Sequence, residues 1–222
     1  MKHLPLTEAD WGKAPSAQDY FPSLANYKNM VQRLYQDATV MQEDAAELRT
    51  ALQAVKEAVA ADIRVVVMTE DWCGDSANVL PYLTRLAESV DLPIHVFRQP
   101  AAPHLKAWFE GDGTDHIPVV SVVAVDSESE QPFVELVRWV ERPKSAGERY
   151  EAWSAEHPEL DELRAKKDQS DEANRAYIKV YSKLLRDMGS WYTGGLWRDI
   201  GHEISADLLR AATEHRTAAS QS

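Results

Sequence analysis

Cysteine is almost missing from this chain of 222 residues. Cys73 stands alone, so no disulfide can close within the chain, and a cysteine-rich zinc module is excluded. Basic residues are also scarce, with 24 Lys and Arg against 36 Asp and Glu, a formal net charge of -12. Such a surface repels phosphate backbones and anionic bilayers, so neither nucleic acid nor a membrane is expected as a partner. Long apolar runs are lacking too. The longest, residues 65–68, falls far short of the roughly 20 residues that span a bilayer. The opening Met1, Lys2, His3, Leu4 and Pro5 carry no secretory apolar stretch, and the setting expected is reducing and cytoplasmic.

What remains is ordinary globular material, 44% hydrophobic and 27% charged, without repeats or low-complexity blocks. A chain of this length can bury a core without covalent staples. Pro5, Gly12, Pro15 and Pro22 break up the first stretch, which reads as loop. Ser23 reads as the cap of a helix carrying Leu24, Tyr27, Met30, Val31, Leu34 and Tyr35. A second helix is expected over 43–60. Residues 63–68 are β-branched and nearly all apolar, as in a strand buried on both faces. A helix over 74–89 follows, with Pro81 expected to kink it. Strands are expected near 94–97, 119–125 and 133–140, the last two as an antiparallel hairpin, with a short helix near 105–109. Helices are then predicted over 145–156, 159–188 and 196–214, with residues 216–222 disordered. The long charged helix carries a narrow seam of Leu160, Leu163, Tyr177, Tyr181, Leu184 and Leu185.

One stretch carries chemistry. Trp72-Cys73-Gly74-Asp75-Ser76 lies between the buried strand and the helix after it. A sulfur at a helix N-terminus meets unpaired N–H groups and the positive end of the dipole, which favour thiolate. Glu70, Asp71 and Asp75 act in the opposite sense. Read blandly, Cys73 is a small buried hydrophobe and Ser76 a first-turn residue bonding locally. His95, His104 and His116 match no local metal-ligand spacing, and Gly201-His202-Glu203 lacks the second His of a zinc protease motif. Trp191, Tyr192 and Trp197 read either as packing of the last helices or as a partner surface.

The order of elements around Trp-Cys-x-x-Ser resembles the thioredoxin superfamily, and the Glu70, Trp72-Cys73-Gly74-Asp75 pattern resembles a bacterial branch of it. Pro81, eight residues after Cys73, matches the proline in the active-site helix of that family, and Ile117-Pro118 matches its cis-proline. The resemblance implies an α/β fold, a mixed sheet of four central strands flanked by helices. It covers a domain over 43–157, preceded by a loop and helix over 1–42 and followed by a helical extension over 158–222. It also implies that Cys73 and Ser76 form the catalytic pair. Trp72, Gly74, Asp75, Ile117 and Pro118 would contact substrate, with the Ile117 backbone pairing to an extended segment.

Two departures matter. Ser76 replaces the second, resolving cysteine, and Val67 replaces a buried Asp that assists proton transfer. The function expected is therefore monothiol thiol–disulfide exchange on a protein or small-molecule disulfide. No bound cofactor is expected, and a small thiol such as glutathione or bacillithiol would be co-substrate. The alternative is a redox-silent binding module, and a homodimer through the C-terminal helices is a further expectation. Cys-Gly-Asp-Ser also resembles the site of cluster-binding monothiol glutaredoxins, but Glu70 and Asp71 stand near their lysine, which ranks that reading last.

Overall fold

The computed structural model describes residues 2–126 and 128–220. Its centre is β2 (Asp62–Thr69), flanked by β3 (Ile94–Arg98) in parallel and β4 (Val119–Val125) antiparallel. β5 (Phe133–Val140) pairs with β4 through a register shift at Val122/Val123, and a two-residue β1 (Lys2–His3) pairs with β5. The strand order is β1-β5-β4-β2-β3. The four expected central strands are thus present, and among the described residues the two-residue β1 adds a fifth at the edge.

Alternation along the strands makes two apolar faces. Val65 and Val67 of β2, with Val120 and Val122 of β4, belong to the larger core. Val66 and Met68, with Val119, Val123 and Phe133, face the smaller one. Because β2 is covered on both sides, its middle, residues 65–68, is apolar throughout. The larger core is closed by α2 (Ala17–Ser23), α3 (Lys28–Asp37), α4 (Ala46–Val59), α5 (Gly74–Glu88) and α10 (Arg198–Ser220). The smaller is closed by α1 (Glu8–Lys13), α6 (Pro103–Gly111), Leu4 and Leu6. α5 runs unbroken through Pro81.

The N-terminal stretch is not loop. Thr7 and Asp10 form a reciprocal capping box at α1, and the Ser16 hydroxyl caps α2. Ser23 ends α2 rather than opening a helix, and α3 starts after Tyr27, which sits at φ 57°. The chain beyond the sheet forms α7 (Lys144–Glu156), α8 (Glu159–Lys166), α9 (Asp171–Trp191), a π-helical turn (Tyr192–Leu196) and α10. The expected single helix over 159–188 is thus two. The Ser170 hydroxyl accepts from the Ala173 N–H at 3.1 Å, and Asp171 and Glu172 fill the new first turn, so a fresh start outcompetes continuation. The expected tail is helical to Ser220, and Gln221 and Ser222 lie outside the described residues. Among the described residues no helix is long and apolar enough to cross a membrane.

α10 packs along α4, tied at its rim by Arg198–Asp44 at 2.7 Å and His202–Glu47 at 2.5 Å. Tyr192 and Trp197 are buried and stack on Tyr82 of α5, so two of the three C-terminal aromatics are packing residues of this chain.

Candidate active site

β2 delivers the chain to a tight corner, and α5 begins at once on its far side. Cys73 is the N-cap of α5, and its Sγ accepts from the Ser76 N–H at 3.4 Å. The thiol donates to the Ile117 carbonyl at 3.3 Å. The Ile117–Pro118 peptide is cis and opens β4, which β2 holds antiparallel through Met68↔Val119. The sheet register thus brings Cys73 and Ile117 together across 44 residues of sequence.

The first turn of α5 supplies the rest. Ser76 is buried and its hydroxyl pairs with that of Thr69 at the end of β2. The Asp75 carboxylate pairs with the Arg142 guanidinium at 2.8 Å. Arg142 also bonds Glu141 and lies 4.2 Å over the Tyr150 ring. Trp72 projects into solvent, 60% exposed, whereas Cys73 is only 6% exposed. Asp71, expected as a charge near the sulfur, is spent on structure. It accepts from Arg98, Tyr20 and the Ala25 N–H, joining the corner to β3, α2 and the segment before α3. Glu70 accepts from the Gln99 N–H at 2.8 Å. Val67 is fully buried in the sheet.

Burial pushes the Cys73 thiol up from its ordinary value. The Ser76 side chain and N–H pull it down, and the negative Asp75 adds to the rise. Desolvation therefore outweighs the hydrogen bonds that the first turn of α5 gives the sulfur. Burial also pushes the Asp75 carboxyl up to about 7, against the pull of Arg142 and with help from Glu141.

The residues missing from the sequence reading sit on α9 and before α7. Gly74 has no room for a side chain, because a Cβ there would collide with the Tyr181 hydroxyl and lie 2.6 Å from Leu185. Helix α9 thus rests on the residue after Cys73. Tyr181 and Leu185 were visible as a hydrophobic seam, but the seam's target was not. The one available signal was Gly74 itself, since glycine inside a first turn points to close approach. Asn78, one turn on, is fully buried and donates to the Gly74 carbonyl at 3.0 Å.

A cleft of about 570 Å³ opens beside Gly74 and Asp75, walled by Arg142, Lys144, Arg164 and Tyr181. His116 reaches its edge, exposed and paired with Asp115 at 2.6 Å. His95 is stacked on Trp11 at 4.0 Å with Nδ1 on the Trp11 carbonyl, a packing role. Among the described residues no group of three or more His, Cys, Asp or Glu could hold a metal ion.

Corner, capped sulfur and cis-proline strand on a helix-flanked mixed sheet define a thioredoxin-like α/β fold with a helical C-terminal extension. The chain belongs to the thioredoxin family: the family model Thioredoxin_9, described as thioredoxin, matches residues 15–154. No curated protein matches it. Two solved structures are similar to it. One is an HIV epitope scaffold, 19% identical over 64% of this chain and 81% of that chain, with a TM-score of 0.44. The other is a Pseudomonas aeruginosa protein of unknown function, 17% identical over 94% of this chain and 98% of that chain, with a TM-score of 0.48.

Proposed function

We propose that Cys73 performs thiol–disulfide exchange as a monothiol, with an external small thiol as resolving group. The supporting observation is the placement of the sulfur at the head of α5, held by the Ser76 N–H and the Ile117 carbonyl beside Pro118. The Cys73 proton leaves to solvent and the thiolate attacks one sulfur of a disulfide. A bond from Sγ to that sulfur forms, the old S–S bond breaks, and the departing thiolate takes up a proton. A second external thiol attacks the mixed disulfide and returns Cys73 to the thiol. Ser76 keeps the sulfur's N–H donor in place and cannot resolve the intermediate. Trp72, Gly74, Asp75, Ile117 and Pro118 form the surround that substrate meets.

A raised pKa leaves little thiolate near neutral pH, but the thiolate that forms is the better nucleophile. The exchange is therefore slow at neutral pH and accelerates on the alkaline side. The Trp72-Cys73-Gly74-Asp75 stretch supports placement in the bacterial branch of the family, acting where thiols stay reduced, as in a cytoplasm.

The test is intact mass after incubation with cystine across pH 7 to 9.5, flanking the ordinary thiol value of about 8.5. A single adduct that grows with pH and is released by added thiol is expected, with none in Cys73→Ser. No adduct on the folded protein, when the urea-unfolded chain reacts, overturns the proposal. The burial of Cys73 favours a second reading, a redox-silent binding module. It would then share the absence of an adduct with partner binding unchanged in Cys73→Ala.

A further inference from the structure

The C-terminal extension does more than enlarge the fold. Its helix α9 lies over the head of α5, and the space a side chain at Gly74 would need is taken by Tyr181 and Leu185. One residue before, Cys73 is buried while Trp72 is open to solvent, and on its other side Cys73 faces Tyr20, Phe21, Leu24 and Tyr27. An extended polypeptide segment carrying a disulfide needs clear space along the corner to bring its sulfur in line with Sγ. α9 stands over Gly74, the next residue after the sulfur.

The layer over the site has its own packing. Leu184, Leu185 and Met188 of α9 join Trp153 of α7 and Leu160 of α8 in a cluster separate from the two sheet cores. The Trp153 indole N–H donates to Asp187 at 2.8 Å and fixes α9 on α7. The cover is therefore a built element and not a loose segment.

The open space beside it has the size of a small-ligand site. Its volume, about 570 Å³, lies within the roughly 300–1,000 Å³ of such pockets. Its walls carry both signs of charge, in Asp75 and Glu141 against Arg142, Lys144 and Arg164. Asp75 Oδ1 and Arg142 Nε are buried without a hydrogen-bond partner among the described residues, so the pair at the cleft retains unmet bonding capacity. Tyr181 belongs both to this cleft and to the contact on Gly74, so the cleft borders the two residues that follow the sulfur, Gly74 and Asp75.

We propose that α9 makes Cys73 selective for small polar disulfides: Tyr181 and Leu185 exclude an extended protein segment, and the adjoining cleft holds the small molecule. This rests on the exchange reaction proposed above and names its substrate class. The chemistry is unchanged. Cys73 loses its proton to solvent, the Sγ–S bond forms, and the small molecule's other half leaves as a thiol. The polar ends of that molecule are recognised by the charged cleft walls.

The experiment compares adduct formation on Cys73 by cystine and by a peptide of about twenty residues carrying a cysteamine mixed disulfide, read by intact mass. The same protein unfolded in urea supplies the intrinsic rate ratio of the two reagents. In the folded chain the cystine-to-peptide ratio is expected to exceed that reference by about tenfold or more, a barrier of about 1.4 kcal/mol. Tyr181→Ala with Leu185→Ala should bring the ratio back toward the reference by accelerating the peptide reaction. Arg164→Ala, a surface change that stands even if the double variant does not fold, should slow cystine about threefold while leaving methyl methanethiosulfonate unaffected. A folded ratio equal to the unfolded one overturns selectivity, and cystine unaffected by Arg164→Ala overturns the cleft. If the folded chain reacts with neither disulfide, the exchange reaction itself falls, and this inference with it.

Discussion

Asp75 is the residue where geometry and charge conflict most directly. It sits in the first turn of α5, where a carboxylate is welcome at the helix N-terminus, and it pairs with Arg142. Yet burial raises its carboxyl from 3.8 to about 7. A carboxyl that holds its proton more tightly when folded favours the fold most at low pH. Its contribution is complete below about 4 and is lost as pH rises through about 7. Asp75→Asn should therefore flatten the fall in stability between these limits, seen as urea midpoints that vary less from pH 4 to 7.5. The same change removes a negative charge that raises the Cys73 thiol, so the inflection of the alkylation rate should move to lower pH. An unchanged pair of profiles would mean that neither charge reaches the other. Little of this was readable from the sequence. Both acidic neighbours, Asp71 and Asp75, looked alike there, but one is bound into the corner by Arg98 and Tyr20 while the other borders a cleft. The competition stated at the outset for Cys73 set the helix terminus against its acidic neighbours; burial, the largest influence, is a matter of packing that the sequence does not carry.

At the scale of elements, the contact of α5 with α9 is the most sensitive. Gly74→Ala adds a methyl group where Tyr181 and Leu185 already stand. Overpacking of this kind costs about 1–3 kcal/mol, and the cheapest relief is for α9 to lift away from α5. A lower melting temperature with faster iodoacetamide labelling of Cys73 is expected. A variant that melts and labels like the parent would show that the close approach is absent. The elements that could be read in advance were those with a strong period. β4 and β5 lie over the expected residues, and β2, α4, α5 and α7 within a few, because their apolar runs or stripes are long. The failures share a cause, which is local capping. Thr7, Ser16 and Ser170 each start a helix through one hydroxyl, and such a signal is as short as the helices α1 and α2 themselves. β1 is two residues long and exists because β5 offers an edge, a reason that no local pattern carries.

Across the whole molecule, the extension and the sheet domain share one core. Ile200, Ile204, Leu208 and Ala212 of α10 lie in the same apolar cluster as β2, β4 and α5. Leu208 is fully buried, so Leu208→Ala should cost about 2–5 kcal/mol. The loss should register equally in probes of α10 and of the sheet, as hydrogen exchange that accelerates in both. Acceleration confined to α10 would mean that the helix is an independent appendage. The α7–α9 layer differs, with its small separate cluster placed over the site. The fold class was legible because the buried strand, the Trp-Cys corner and the Ile-Pro opening of β4 lie in an order few folds share. The role of the last third of the chain was not legible, because its amphipathic pattern reveals that a face is buried but not against what.

The place of Ser76 has a consequence for bookkeeping in any cell that makes this protein. Its hydroxyl is occupied with Thr69 beneath the sulfur, and the chain has no other thiol to close a ring with Cys73. A two-cysteine relative can carry oxidation silently, as an internal bond that changes neither its mass by more than two hydrogens nor its cargo. This chain cannot. Every disulfide it forms is a conjugate with something else, one for one, so its oxidised population is at the same time an inventory of what it has met.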